Sequence, residues 1–163
     1  MKLYLLRHAD AEARDAEKYP DDLLRPLIKK GYKKIGKAGK LLKEAEVTLD
    51  LVLTSPAVRT METARRLAKE LNLPDEIVMP CDALLPEGGG SEVIREINEK
   101  HKADALMLVG HEPNLSLLIS QLIGGDERIA IHMKKTGLCC LTIDELRDGK
   151  CAVLEWLLDP TLL

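Results

Sequence analysis

The sequence has 163 residues, with 45% hydrophobic and 31% charged side chains and a formal net charge of −3. That length fits one domain with a real core. The composition excludes a disordered chain, and the mildly acidic balance argues against a protein that coats nucleic acid. No apolar run approaches the roughly 18 residues of a membrane span, and Met1-Lys2 with four apolar residues is too short for a signal peptide. Phenylalanine is absent, so Leu, Ile, Val, Met and Ala must fill the core. Cys81, Cys139, Cys140 and Cys151 form no Cys-x-x-Cys pair. A reduced, cytoplasmic protein without a zinc site is the expectation.

In chain order, Leu3 to Leu6 read as a buried strand, because four apolar residues are bounded by charge. The strand stops on Arg7-His8. A polar loop, Ala11 to Asp22, precedes Arg25-Pro26, and a helix follows with Ile28, Tyr32, Ile35, Ala38, Leu41, Leu42 and Ala45 at spacings of three and four. Gly31, Gly36 and Gly39 weaken it by ~1 kcal/mol each unless they permit close packing. Leu51 to Leu53 form a second buried strand. Ser55 is then the expected N-cap, and Pro56 the first residue, of a helix with Val58, Met61, Ala64, Leu67 and Leu71 on one face.

A short strand is expected around Ile77 to Met79. The run Pro86-Glu87-Gly88-Gly89-Gly90 reads as a flexible loop, with Ser91 capping a helix that carries Val93, Ile94 and Ile97. Ala105 to Val109 form the third continuous apolar run, ending on Gly110-His111-Glu112-Pro113 ahead of a helix with Leu115, Leu118, Ile119 and Leu122 inward. Gly137 to Ile143 and Cys151 to Leu158 read as a hairpin turning at Asp148-Gly149. Trp156 is expected to pack within the last strand, and His101 and His132 to be ordinary surface or structural residues.

Strands alternating with helices imply a mainly parallel sheet covered on both faces, with the hairpin as an antiparallel edge. Ligands of such sheets bind beyond the carboxyl ends of the strands. Three buried strands here end at Arg7-His8, at Ser55 with Arg59 close behind, and at Gly110-His111. Two arginines and two histidines without an acidic cluster describe an anion site rather than a metal site, since zinc wants a third protein ligand and no adjacent guanidinium. A phosphoryl group suits the set, because its oxygens take bidentate arginine contacts.

Leu6-Arg7-His8-Ala9, Thr54-Ser55-Pro56-Ala57-Val58-Arg59-Thr60 and Val109-Gly110-His111-Glu112-Pro113 resemble, in order, the three blocks of the histidine phosphatase superfamily. Leu24-Arg25-Pro26-Leu27, Leu85-Pro86-Glu87 and the short length resemble its SixA-type branch. The resemblance implies a phosphoglycerate mutase-like α/β fold, a three-layer α/β/α domain spanning residues 1–163. It implies a phosphatase acting on phosphohistidine in a protein, such as a histidine phosphotransfer domain, with no cofactor, metal, nucleic acid or membrane partner. His8 would be the nucleophile, Arg7, Arg59 and His111 would grip the phosphoryl oxygens, and Arg25 would add a fourth contact beside Ser55. Ala9 replaces the glycine usual in the superfamily. Glu87 is the candidate general acid, in a branch without the long insertion that supplies one elsewhere. The alternatives are a phosphatase or mutase for small phosphoesters, and a non-catalytic module binding phosphorylated partners through Arg7, Arg59 and Arg25. Retention of His8 counts against the module, since binding alone needs no nucleophile.

Overall fold

The computed structural model describes residues 1–159. Its strands are β1 (Lys2–Arg7), β2 (Leu51–Thr54), β3 (Val78–Pro80), β4 (Ala105–Gly110), β5 (Leu138–Ile143) and β6 (Ala152–Leu158). The helices are α1 (Lys29–Glu44), α2 (Val58–Glu70), α3 (Gly90–Lys100) and α4 (Asn114–Gly124). One sheet runs in the order β3-β2-β4-β1-β5-β6. Its first four strands are parallel, and β5 and β6 join antiparallel.

The apolar runs are continuous because both faces of these strands are covered. Leu3, Leu5, Leu53, Leu106 and Leu108 face α3 and α4, meeting Val93, Ile94, Leu115, Ile119 and Leu122. Their neighbours Tyr4, Leu6, Val52, Met107 and Val109 face α1 and α2, meeting Ile35, Ala38, Leu42, Ala64 and Leu67. The period of two along each strand thus feeds two cores, and each fully buried Leu or Ile contributes about 1.5–3 kcal/mol relative to exposure.

Gly31 explains why the glycine-bearing helix survives. A Cβ there would sit 2.3 Å from the Asp10 carbonyl oxygen, so its absence lets α1 rest directly on the chain that follows His8. Ile28 N–H donates to the same carbonyl at 3.0 Å.

Three local expectations are corrected. The α2 helix begins at Val58 with Ala57 as its cap, not at Pro56 after Ser55. Ser55 Oγ does accept from Ala57 N–H at 3.3 Å, but it also meets His111, so its hydroxyl serves the strand ends as well as the turn. Gly89, not Ser91, caps α3, and the Glu92 carboxylate reaches back to its N–H; the Ser91 hydroxyl instead donates to Asp148. The link between β5 and β6 runs from Asp144 to Cys151, longer than a tight hairpin turn. Trp156 packs in the last strand as expected, against Tyr4 with ring centroids 6.0 Å apart.

Candidate active site

Strands β2, β4 and β1 lie side by side, so their carboxyl ends bring Ser55, His111 and His8 to one edge. The ladder continues past the strands: His8 N–H donates to Gly110 O at 3.1 Å, and Ser55 N–H to Val109 O at 3.0 Å. Arg59 arrives in the first turn of α2, buried to 3% exposure. Thr63 on the same helix accepts from Ala9 N–H at 3.1 Å while donating to Arg59 O at 2.6 Å. The start of α2 is thereby fastened to the chain carrying His8.

His8, Arg59 and His111 help line a cleft of about 710 Å³. The rings of His8 and His111 lie 5.3 Å apart, centroid to centroid. His8 Nδ1 sits 2.8 Å from Ala9 O. A carbonyl only accepts, so Nδ1 carries the proton and Nε2 keeps the lone pair. His111 lies between Arg59 Nη2, 3.3 Å from its Nδ1, and Ser55 Oγ, 2.9 Å from its Nε2. A guanidinium only donates, so His111 accepts at Nδ1 and donates from Nε2 to the serine.

Both histidines are held neutral in the free protein. Burial, then the Arg59 and Arg7 charges and the nearby Lys135, push His8 down to about 4. Burial, Arg59 and His8 push His111 to about 3. A bound dianion acts oppositely and raises both.

The donors are partly idle. Arg7 Nη1 donates to Met133 O at 2.7 Å, while its buried Nε has no partner. Arg59 Nη1 donates to the Asp22 carbonyl at 2.8 Å, Nη2 lies 3.3 Å from the Asp22 carboxylate, and its Nε is also buried without a partner. Buried donors are nearly always satisfied, so two orphaned guanidinium N–H groups in one cleft mark a place for an acceptor-rich ligand. Arg25 donates to both Asp22 carboxylate oxygens, at 2.7 and 3.2 Å, and to Glu12 O at 2.6 Å. Its hydrogen bond holds Asp22 below the usual carboxylate range, so the carboxylate stays ionised.

The cleft therefore gathers Arg7, His8, Arg25, Arg59 and His111, with Ser55 behind His111. Glu87 is not among its lining residues; it faces a neighbouring groove with Arg14, Tyr19 and Asp22, and Pro86 lies on both. The loop carrying Glu87 is better anchored than its glycines suggest. Asn114 Nδ2 reaches the carbonyls of Leu85, Pro86 and Gly88 at 3.2, 3.0 and 2.8 Å. Glu112 accepts from Ser116 N–H at 3.2 Å in the first turn of α4 and borders the cleft.

Two features were not read from the sequence. Asp22, three residues before Arg25, is the carboxylate that both arginines share. The other is the turn from Lys134 to Gly137, which places Lys135 on the cleft wall. Its signal was a basic pair followed by Thr-Gly immediately before a strand. Thr136 in that turn has φ +66°, is fully buried, and leaves its hydroxyl unpartnered. Left-handed backbone at a β-branched residue costs on the order of 1–3 kcal/mol.

Comparison with known proteins places this arrangement. Residues 3–79 match the model of the histidine phosphatase superfamily (branch 1). An uncharacterized protein of Picosynechococcus sp. is 31% identical over 140 residues, covering 85% of this chain and 82% of its own. Phosphohistidine phosphatase SixA of Escherichia coli is 26% identical over 165 residues, 98% of this chain and 94% of that protein. The solved structure of the protein histidine phosphatase SixA complexed with tungstate aligns with a TM-score of 0.84 at 25% identity, over 99% of each chain. Among the described residues no helix is long and apolar enough to cross a membrane.

Proposed function

The chain belongs to the histidine phosphatase superfamily and is of SixA type, and on that premise we propose that it hydrolyses phosphohistidine in a protein partner through a phosphorylated His8. His8 Nε2 attacks phosphorus and the bond to the substrate's imidazole nitrogen breaks, that ring, already protonated on its other nitrogen, leaving as neutral imidazole. Water then attacks the phosphorus on His8 from the vacated side, releasing inorganic phosphate and restoring the imidazole. Arg7 and Arg59 hold the peripheral oxygens, where charge is spread in the transition state, and His111 joins them once the bound dianion favours its protonation at Nδ1. Arg25 is the fourth contact, and Ser55 fixes the His111 tautomer. Glu87 meets the substrate from the neighbouring rim.

The observation that carries this reading is the state of His8: its Nδ1–H is committed to Ala9 O, its ring is neutral, and two guanidinium Nε groups beside it lack acceptors. A nucleophile with a free Nε2 lone pair inside an unfilled set of anion donors is what phosphoryl transfer requires. The SixA structure was solved with tungstate, an oxyanion shaped like phosphate, which supports an oxyanion as ligand. A protein-borne substrate is supported by the shortness of the segment from Cys81 to Gly89, from which only Pro86 reaches the cleft wall. Four free cysteines accord with a cytoplasmic protein, and we take residues 1–163 as one domain, of which 160–163 lie outside the described residues.

The test is turnover by the purified protein on a phosphohistidine-bearing protein and on a panel of small phosphoesters, with EDTA present. Preference for the phosphoprotein in kcat/KM is the expected result. A higher kcat/KM on a small phosphoester would replace this substrate, and binding without turnover of any of them would replace the enzyme by a binding module.

A further inference from the structure

We propose that Lys135 is a specificity-determining residue that receives a carboxylate of the substrate lying outside the transferred phosphoryl group. The inference rests on the phosphatase reading and deepens it, by naming what the substrate carries beside its phosphate.

The segment from Met133 to Gly137 is built around the end of β1. Met133 O takes the Arg7 guanidinium at 2.7 Å. Thr136 N–H is shared between Arg7 O at 3.1 Å and His8 O at 3.3 Å, and Arg7 N–H donates to Gly137 O at 3.1 Å. Gly137 N–H closes the turn on Lys134 O at 2.7 Å, where a Cβ on Gly137 would stand 2.7 Å from that same oxygen. Position 137 must therefore be glycine for the turn to close. The left-handed Thr136 is the other half of the constraint, and such backbone persists only where its surroundings over-determine it. The product of all this is a fixed place for Lys135, at the tip of the turn, on the wall shared with Arg7, His8 and Asp10.

The charge accounting then singles Lys135 out. Arg14, Arg25 and Arg59 surround the Asp22 carboxylate at 3.5, 2.7 and 3.3 Å. Asp10 is bonded by Lys34 at 2.8 Å. Lys134, next in the chain, pairs with Asp159 at 2.7 Å. Lys135 is half-buried beside the nucleophile, and among the described residues it makes no hydrogen bond or ion pair. Its charge nevertheless reaches both His8 and Asp10. The carboxylate it reaches, Asp10, is already bonded by Lys34, so a half-buried ammonium here gains from a ligand that supplies another anion.

That counter-ion is not the phosphoryl group. Its oxygens already have Arg7, Arg59, His111 and Arg25, whose planar forks suit them better than a point charge on a flexible stem. Lysine instead tolerates variable geometry, which suits a second anionic group whose position differs between substrates. The chemistry is a carboxylate. Its source is either an acidic side chain beside phosphohistidine on a protein or the carboxylate of a small phosphoester.

Binding to the His8→Ala protein, which leaves ligands intact, separates these cases by calorimetry at low salt. The first pair is phosphoserine and phosphoethanolamine, which differ only in the carboxylate. The second is a phosphohistidine peptide with glutamates beside the modified residue and the same peptide with glutamines. Lys135→Met should weaken the carboxylate-bearing member of at least one pair roughly tenfold and its partner less than twofold. Lys135→Arg should restore the preference. An effect confined to the peptides identifies an acidic protein surface, and one confined to phosphoserine a small carboxylated phosphoester. Equal loss on all four ligands would make Lys135 a phosphoryl ligand and overturn the proposal, as would no loss on any. Wild-type turnover, measured separately, tests the phosphatase reading, so either can fail while the other stands.

Discussion

Two clefts of nearly equal size open on this molecule, and they differ in how their polar groups are treated. The one at the strand ends encloses about 710 Å³ and the groove between α1 and α2 about 730 Å³. The groove is lined by Tyr32, Glu62, Arg65, Arg66 and Lys69. Its charges settle among themselves on the surface: Arg66 with Glu70 at 2.5 Å, Arg65 with Asp75 at 3.6 Å, and Glu62 accepting from Leu27 N–H at 2.7 Å. At the strand ends the histidines and arginines are buried, and the histidines are held neutral by that burial and by one another's neighbours. Volume does not separate a site from a groove here. Nor does a single unpartnered donor, since Arg66 Nε in the groove has none either; buried histidines held neutral beside two such arginines do, because that arrangement is costly until a ligand completes it.

The strongest way to break the contrast is to remove the nucleophile. His8→Ala should lower turnover on the order of 10⁴-fold or more, since covalent catalysis has no substitute in the cleft. The variant should still bind phosphate or vanadate through the arginines. Stopped assays for kcat and calorimetry for the oxyanion check the two halves, and near wild-type turnover would remove His8 from the reaction.

The arginines sharpen it next. Arg59→Ala should cost roughly 10²–10³-fold in kcat, because Arg59 is at once buried, in contact with His111 and short of an acceptor at Nε. Arg25→Ala should cost less, since Asp22 and Glu12 O already engage three of its N–H groups before any ligand arrives. Steady-state kcat for the two variants decides it. Small and equal losses would mean that the orphaned Nε does not mark the phosphoryl position.

The pH profile tests desolvation itself. His8 titrates at about 4 in the folded free protein, and only its neutral form is nucleophilic. A lowered folded pKa means activity is present above that value and lost as pH falls through it. The acid limb of kcat/KM should therefore descend near pH 4, about tenfold per unit below it, rather than near the 6.5 of an ordinary histidine. A limb at 6 to 7 would show a hydrated His8 and a cleft more like the groove.

Much of this was legible in the chain. The continuous runs Leu3–Leu6 and Ala105–Val109 announced strands buried on both faces, and each ended on the residue that the sheet then delivered to the cleft. Periodicity located α1 and α2 because their apolar faces are regular. The cap assignments at Ser55 and Ser91 missed because propensity sees only local backbone, while both hydroxyls are engaged by residues distant in sequence, His111 and Asp148. Asp22 and Lys135 were missed for the same reason. Asp22 sits in a charged loop and Lys135 beside another lysine, and nothing local separates either from solvated neighbours. The Glu87 loop looked mobile from Gly88-Gly89-Gly90; its anchor, Asn114, lies on another helix.

The smallest expected effect lies in the groove, and it tests the contrast from the other side. Arg65→Ala and Lys69→Ala remove two of its charges. Arg65 is 58% exposed at its side chain and pairs with Asp75, itself 66% exposed, and exposed pairs contribute about 0–1 kcal/mol because water and salt already screen them. Neither residue lines the strand-end cleft. Turnover should change less than about twofold, and thermal stability should shift by no more than about 0.5 kcal/mol at such surface positions. Kinetics and thermal melts on the same preparations give both readings. A tenfold loss of turnover with an unchanged melt would show that the groove takes part in substrate capture, and that paired, hydrated charge does not disqualify a cleft from function.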